Sequence, residues 1–112
     1  MRLLSRAEEM VLLTIWKLKD DAYCVPIREH LIALTKKNWS LGSVFNPLER
    51  LEKKGLLRSS LTGPTKVRGG RSKRVYRLTM DGKKALAELY HIQSTLWDDA
   101  SILDADLEEA ET

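Results

Sequence analysis

One cysteine, Cys24, rules out an intrachain disulfide framework and any metal site built from several thiolates. No unbroken apolar run is longer than that of Met10 to Leu13, far short of the roughly 18 residues a membrane-crossing helix needs. The Met-Arg-Leu-Leu start is too short for the apolar core of a secretory signal. These absences predict a cytoplasmic protein with no membrane partner. The two histidines, His30 and His91, stand far apart, and Gly69-Gly70 lies among basic residues rather than ahead of a helix. No cluster of titratable groups or phosphate-binding loop exists on which an enzyme could be built, so no catalytic residue, metal or cofactor is expected. What remains is 112 residues, 43% hydrophobic and 31% charged. That is the composition of a folded chain, long enough for one compact domain and one appended element.

The formal charge of +3 hides an uneven distribution. Residues 98–112 hold Asp98, Asp99, Asp104, Asp106, Glu108, Glu109 and Glu111 with no Lys or Arg, a charge of −7. The preceding 97 residues then carry 19 basic and 9 acidic side chains, a formal +10. Nothing between Lys53 and Met80 is acidic, whereas Lys53, Lys54, Arg58, Lys66, Arg68, Arg71, Lys73, Arg74 and Arg77 are all basic. One-sided clustering of this kind suits a polyanionic partner.

Ser5-Arg-Ala-Glu8 has the spacing of a capping box and predicts a helix to about Lys19. Its apolar residues nearly encircle it, so it needs two packing partners. A second helix is expected from Val25-Pro26 to about Thr35, with Ile27, Leu31 and Leu34 on one face and proline in the first turn. Ser40 caps a third helix, which ends at Gly55. In that helix Leu41, Val44, Leu48 and Leu51 form an inward stripe. Ser43, Asn46, Pro47 and Arg50 occupy the opposite face, with a kink or local unwinding expected near Ser43 to Pro47. Asn pairs bidentately with adenine and Arg with guanine in a major groove, so this helix is a candidate reader of base edges. After Gly55 the pattern changes to strands at Leu57–Leu61 and Arg74–Leu78. The twelve residues between them contain Gly63-Pro64, Gly69-Gly70 and the bases Lys66, Arg68, Arg71 and Lys73. That is a hairpin with a long basic tip, suited to phosphate or the minor groove.

Three helices and a basic hairpin make a winged helix-turn-helix, mainly α with a small β-hairpin. The residues go further. Leu4-Ser-Arg-Ala-Glu-Glu-Met-Val-Leu-Leu13, Ala22-Tyr23, Ile27-Arg-Glu29, Ser40-Leu-Gly-Ser-Val44, Leu48-Glu-Arg-Leu-Glu-Lys-Lys-Gly-Leu-Leu57, Gly69-Gly-Arg-Ser-Lys-Arg74 and Tyr76-Arg-Leu-Thr79 together resemble the PadR family of bacterial transcriptional regulators. The resemblance is collinear over roughly residues 3 to 90. It implies a homodimeric repressor that binds an inverted repeat in double-stranded DNA, with the third helix in the major groove and the wing beside it. Ser40, Ser43, Asn46 and Arg50 are the expected contacts of the helix; Lys66, Arg68, Arg71, Lys73 and Arg74 are those of the wing. The chain departs from the usual family pattern at Cys24, where glycine is common, at Phe45, where a tyrosine hydroxyl is lost, and at Met80, where proline is common. Cys24 reads as a small, buried apolar residue.

Thr79 caps a last helix, expected from Asp81 to about residue 104 and roughly 36 Å long at 1.5 Å per residue. Leu86, Leu89, Gln93, Leu96, Ala100, Leu103 and Leu107 alternate steps of three and four along it, the seam of paired helices. The division expected is therefore residues 1–79 as DNA-binding domain, 80–104 as dimerisation helix and 105–112 as a frayed acidic tail. With a single helix after the wing, the chain resembles the short form of the family, without a separate ligand domain. A small-molecule effector, if one exists, would bind near Trp16, Tyr90 or Trp97. Two other functions fit the same topology: a winged helix that binds protein without reading DNA, and an RNA-binding module. The basic body argues against the first, and the lack of exposed stacking aromatics on the hairpin against the second.

Overall fold

A computed structural model describes residues 3–62, 73–98 and 101–111. Helix α1 (Arg6–Leu18) starts at Ser5, whose hydroxyl accepts from the Glu8 amide at 3.1 Å while the Glu8 carboxylate accepts from the Ser5 amide at 2.8 Å. A 3-10 turn, Lys19–Asp21, leads into α2 (Cys24–Thr35), which carries Pro26 in its first turn. Helix α3 (Leu41–Lys53) is capped by Ser40, whose hydroxyl accepts from the Ser43 amide at 3.1 Å. Gly55 follows with φ of 78°, the left-handed conformation that a residue without Cβ adopts at no steric cost. Strand β1 (Leu57–Leu61) pairs antiparallel with β2 (Arg74–Leu78), Leu57 opposite Leu78 and Leu61 opposite Arg74. Thr79 then caps α4 (Met80–Leu96) by accepting from the Gly82 amide, and α5 (Ser101–Glu111) ends the described chain. This is a winged-helix fold, mainly α with one two-stranded hairpin.

The core joins Val11, Leu12 and Ile15 of α1 to Ile27 and Leu31 of α2, Val44, Leu48 and Leu51 of α3, Leu57 of β1 and Tyr76 of β2. Leu34 and Leu41, expected to point inward, are exposed. Each sits in a terminal turn, beyond the buried spans that run from Ile27 to Leu31 and from Val44 to Leu51. Pro47 also differs from expectation: it is buried on the core side, and α3 runs through it without unwinding. It shares the buried face of the helix with Val44, Leu48 and Leu51. The hydrogen bond it withholds belongs to the carbonyl of Ser43, an exposed residue that water can serve. One backbone bond ties the hairpin to the body and another closes its base. The Tyr76 amide donates to the Ala22 carbonyl at 2.8 Å, and the Thr79 amide to the Leu56 carbonyl at 3.1 Å.

In place of one helix to residue 104, the chain breaks at Trp97–Asp98 and resumes as α5. Asp98 is consistent with the interruption, because a carboxylate is repelled by the negative end of the helix dipole at the close of α4. The stretch expected to fray is helical to Glu111. The expected seam is divided as well. Leu89 is buried within its own chain, Leu86 packs on the core, and the Gln93 side-chain amide donates to Glu9 of α1 at 2.8 Å. Leu96, Leu103 and Leu107 are exposed. Among the described residues, no helix is long and apolar enough to cross a membrane.

Candidate nucleic-acid interface

The N-terminal half of α3 presents Ser40, Ser43 and Asn46 to solvent. The two serines are tied to each other: the Ser43 hydroxyl donates to the Ser40 carbonyl at 2.8 Å, and the two hydroxyls lie 3.1 Å apart. Both hydroxyls thus donate within the pair. Asn46 makes no hydrogen bond among the described residues, so its amide is free to donate and accept. Arg50, one turn further on, is held differently. Its Nε lies 3.7 Å from Oε2 of Glu8, and that oxygen also accepts from Lys54 Nζ at 2.6 Å. Glu8 is only 3% exposed, whereas the Arg50 side chain is half exposed, so the cation leans on a buried anion and keeps part of its fork in solvent. Burial alone would raise the Glu8 pKa, but hydrogen bonds from Lys54 and Ser5 outweigh it and hold the carboxyl below its ordinary value.

The hairpin base stands beside this helix. Ser59 of β1 donates to Glu52 of α3 and accepts from Arg74 Nη1 at 2.9 Å, so Arg74 is placed against the flank of α3. Lys73 Nζ lies 4.4 Å from the centroid of the Tyr23 ring and 3.4 Å from its hydroxyl, and Arg77 pairs with Asp20 at 3.2 Å. Arg74 is thus linked through Ser59 to the last turn of α3, while Lys73 lies over Tyr23 at the start of α2, and both cations are exposed. Lys66, Arg68 and Arg71 lie outside the described residues.

On another surface, Leu13 and Trp16 of α1 meet Lys83, Leu86, Ala87 and Tyr90 of α4 around a groove of about 350 Å³. Trp16 and Tyr90, two of the three aromatics expected at an effector site, share this groove; Trp97 does not line it. Lys19 Nζ sits 3.2 Å from the centroid of the Trp16 ring, a cation–π contact at the groove's edge. Cys24 is half-buried and packs against the core, and burial pushes its thiol up, with Arg28 offsetting part of the rise. Sequence reasoning missed the Glu8 node and the Tyr23–Lys73 contact. Both join residues far apart in the chain, and only the capping role of Glu8 left a local signature.

The PadR-like model of transcriptional regulators matches residues 12–88, from α1 into α4. The chain belongs to the PadR-like family. Solved structures agree on the fold of this PadR-like chain. RosR of H. salinarum superposes with a TM-score of 0.69 at 20% identity, covering 97% of each chain. A PadR-like transcription factor from Bacteroides fragilis gives 0.65 at 22% identity, covering 86% of this chain and 87% of its own. A PadR family transcription regulator from Clostridium difficile R20291 gives 0.63 at 23% identity, covering 92% and 98%. No curated protein matches the chain. The family is one of transcriptional regulators, not enzymes.

Proposed function

We propose that the chain is a sequence-specific, homodimeric repressor that binds an inverted repeat in double-stranded DNA. The observation that carries this reading is the exposed N-terminal half of α3, with Asn46 free, on a helix whose last turn is joined through Glu52 and Ser59 to Arg74 of the hairpin base. In this reading Ser40, Ser43, Asn46 and Arg50 meet base edges or adjacent phosphates in the major groove. Lys73 and Arg74, with Lys66, Arg68 and Arg71 further along the wing, meet phosphates or the minor groove. Residues 1–79 form the reader. The apolar surface of α1, α4 and α5 joins two copies, so that two α3 helices address half-sites about 34 Å apart. The groove between Trp16 and Tyr90 then lies at or near the joint, where a small-molecule effector would alter the spacing of the readers. Such a regulator works in the cytoplasm.

The test is binding to duplexes recovered by unbiased selection, measured from low to high salt. With three or four phosphates engaged per copy, log affinity against log salt should fall with a slope of about −5 to −7. A flat salt response, or no preference among sequences, would sink the reading.

A further inference from the structure

Leu41 and Phe45 lie one turn apart in the first half of α3, and both are exposed, at 61% and 49%. The helix already buries Val44, Leu48 and Leu51 in the core, so this second apolar pair lies outside it and leaves much of two large side chains in water. Seven residues beyond Phe45, on the same flank, Glu52 accepts from Ser59, which accepts from Arg74. The apolar pair therefore lies along the side of α3 that faces the basic hairpin. Next to it runs a second line, Gly42 and Asn46. A Cβ on Gly42 would meet only the Ser40 hydroxyl, at 3.9 Å, so the backbone there is bare and open to close approach. The strip thus has an apolar edge, a gap and a free carboxamide.

In a major groove only thymine shows an apolar group, its C5 methyl, and the adenine paired with it offers N7 and N6 to a carboxamide. An A·T pair displays these features side by side, in the order of the strip. We infer that Leu41 and Phe45 read thymine methyls, with Asn46 on an adjacent adenine, so that each operator half-site contains a thymine fixed by its methyl group. The inference rests on the proposed major-groove role of α3 and adds the identity of a base to it. Charge complementarity names duplex DNA as the occupant. Lys36 and Lys37 precede the helix, Arg74 is joined to its last turn through Ser59 and Glu52, Lys73 is Arg74's neighbour in the hairpin base, and all four are exposed. RNA fits poorly, because its deep, narrow major groove admits no helix and its uracils carry no methyl.

The experiment takes the preferred duplex from unbiased selection and replaces each thymine in turn by deoxyuridine, which removes only the methyl. Affinities are measured for the full-length wild type, Leu41→Ala and Phe45→Ala. The expected result is one or two positions per half-site where deoxyuridine weakens wild-type binding about fourfold, the effect of one buried methyl. The penalty should disappear in Phe45→Ala or Leu41→Ala while the other positions keep theirs. Both side chains are exposed, so the variants should retain the wild-type thermal midpoint. A selected duplex with no methyl-sensitive thymine, or a penalty that persists in both variants, overturns this inference and leaves the DNA-binding reading standing. Failure to select any preferred duplex overturns both.

Discussion

The Glu8 carboxylate closes the first turn of α1 and also holds Lys54, 46 positions away in sequence, at 2.6 Å. Arg50 leans on the same oxygen at 3.7 Å. A charge this buried is tolerated because its partners replace the water it lost. Its folded pKa lies below the ordinary glutamate value of 4.5, whereas the unfolded chain restores that value. A depressed folded pKa means that the ionised form stabilises the fold above about pH 4.5 and that this stability is lost as the pH falls through the folded value. Glu8→Gln should therefore destabilise the protein at neutral pH by about 1.5–3 kcal/mol, the usual worth of hydrogen bonds to a charged group. The gap between wild type and variant in urea unfolding should narrow as the pH drops below 4.5. A gap of constant size from neutral pH to pH 3 would show that the charge itself contributes nothing.

At the scale of elements, the start of α4 is fitted closely against the turn after α3. The Gly82 amide donates to Thr79, whose hydroxyl donates to the Gly55 carbonyl, and a Cβ on Gly82 would overlap the Leu56 carbonyl oxygen. Backbone cannot yield as a flexible side chain can. Gly82→Ala should cost about 1–3 kcal/mol of stability, read as a lower thermal midpoint; an unchanged midpoint would mean that α4 shifts freely on the body. Local chemistry made most elements legible beforehand. The Ser5 capping box, the Ser40 and Thr79 caps, Gly55 and the two strands follow from side chains that act within a few residues of themselves. Pro47 and the break at Trp97 were not legible in the same way. A buried proline depends on which side of α3 the core occupies, and a heptad pattern continues across Asp98 and Asp99 whether or not the backbone does. The candidate site divides likewise: Asn46 and the wing cations were visible as residue types, whereas the commitment of Arg50 to Glu8 is a tertiary fact.

The whole molecule is elongated, 58 × 32 × 21 Å, with a radius of gyration of 17.1 Å. A compact chain of this length would have about 13 Å. The excess accompanies an apolar surface that none of the described residues covers: Trp16 is half exposed, Tyr90 76% and Leu96 78% exposed. Patches of this kind on a small chain mark an interface. Sedimentation at micromolar concentration should give the mass of a dimer, and Leu96→Glu should shift the population toward monomer with little change in helical content. A wild-type monomer would remove the second copy from the proposal. The hydrogen bond from Tyr76 to the Ala22 carbonyl has a further consequence at this scale. A two-stranded sheet has two open edges, each a template for adding foreign strands. That bond takes the central amide of β2's outer side into the turn after α1, while the five-residue edge of β1 carries Arg58. When many copies crowd together, the same contact that fixes the wing protects the sheet from aggregation by strand addition at β2.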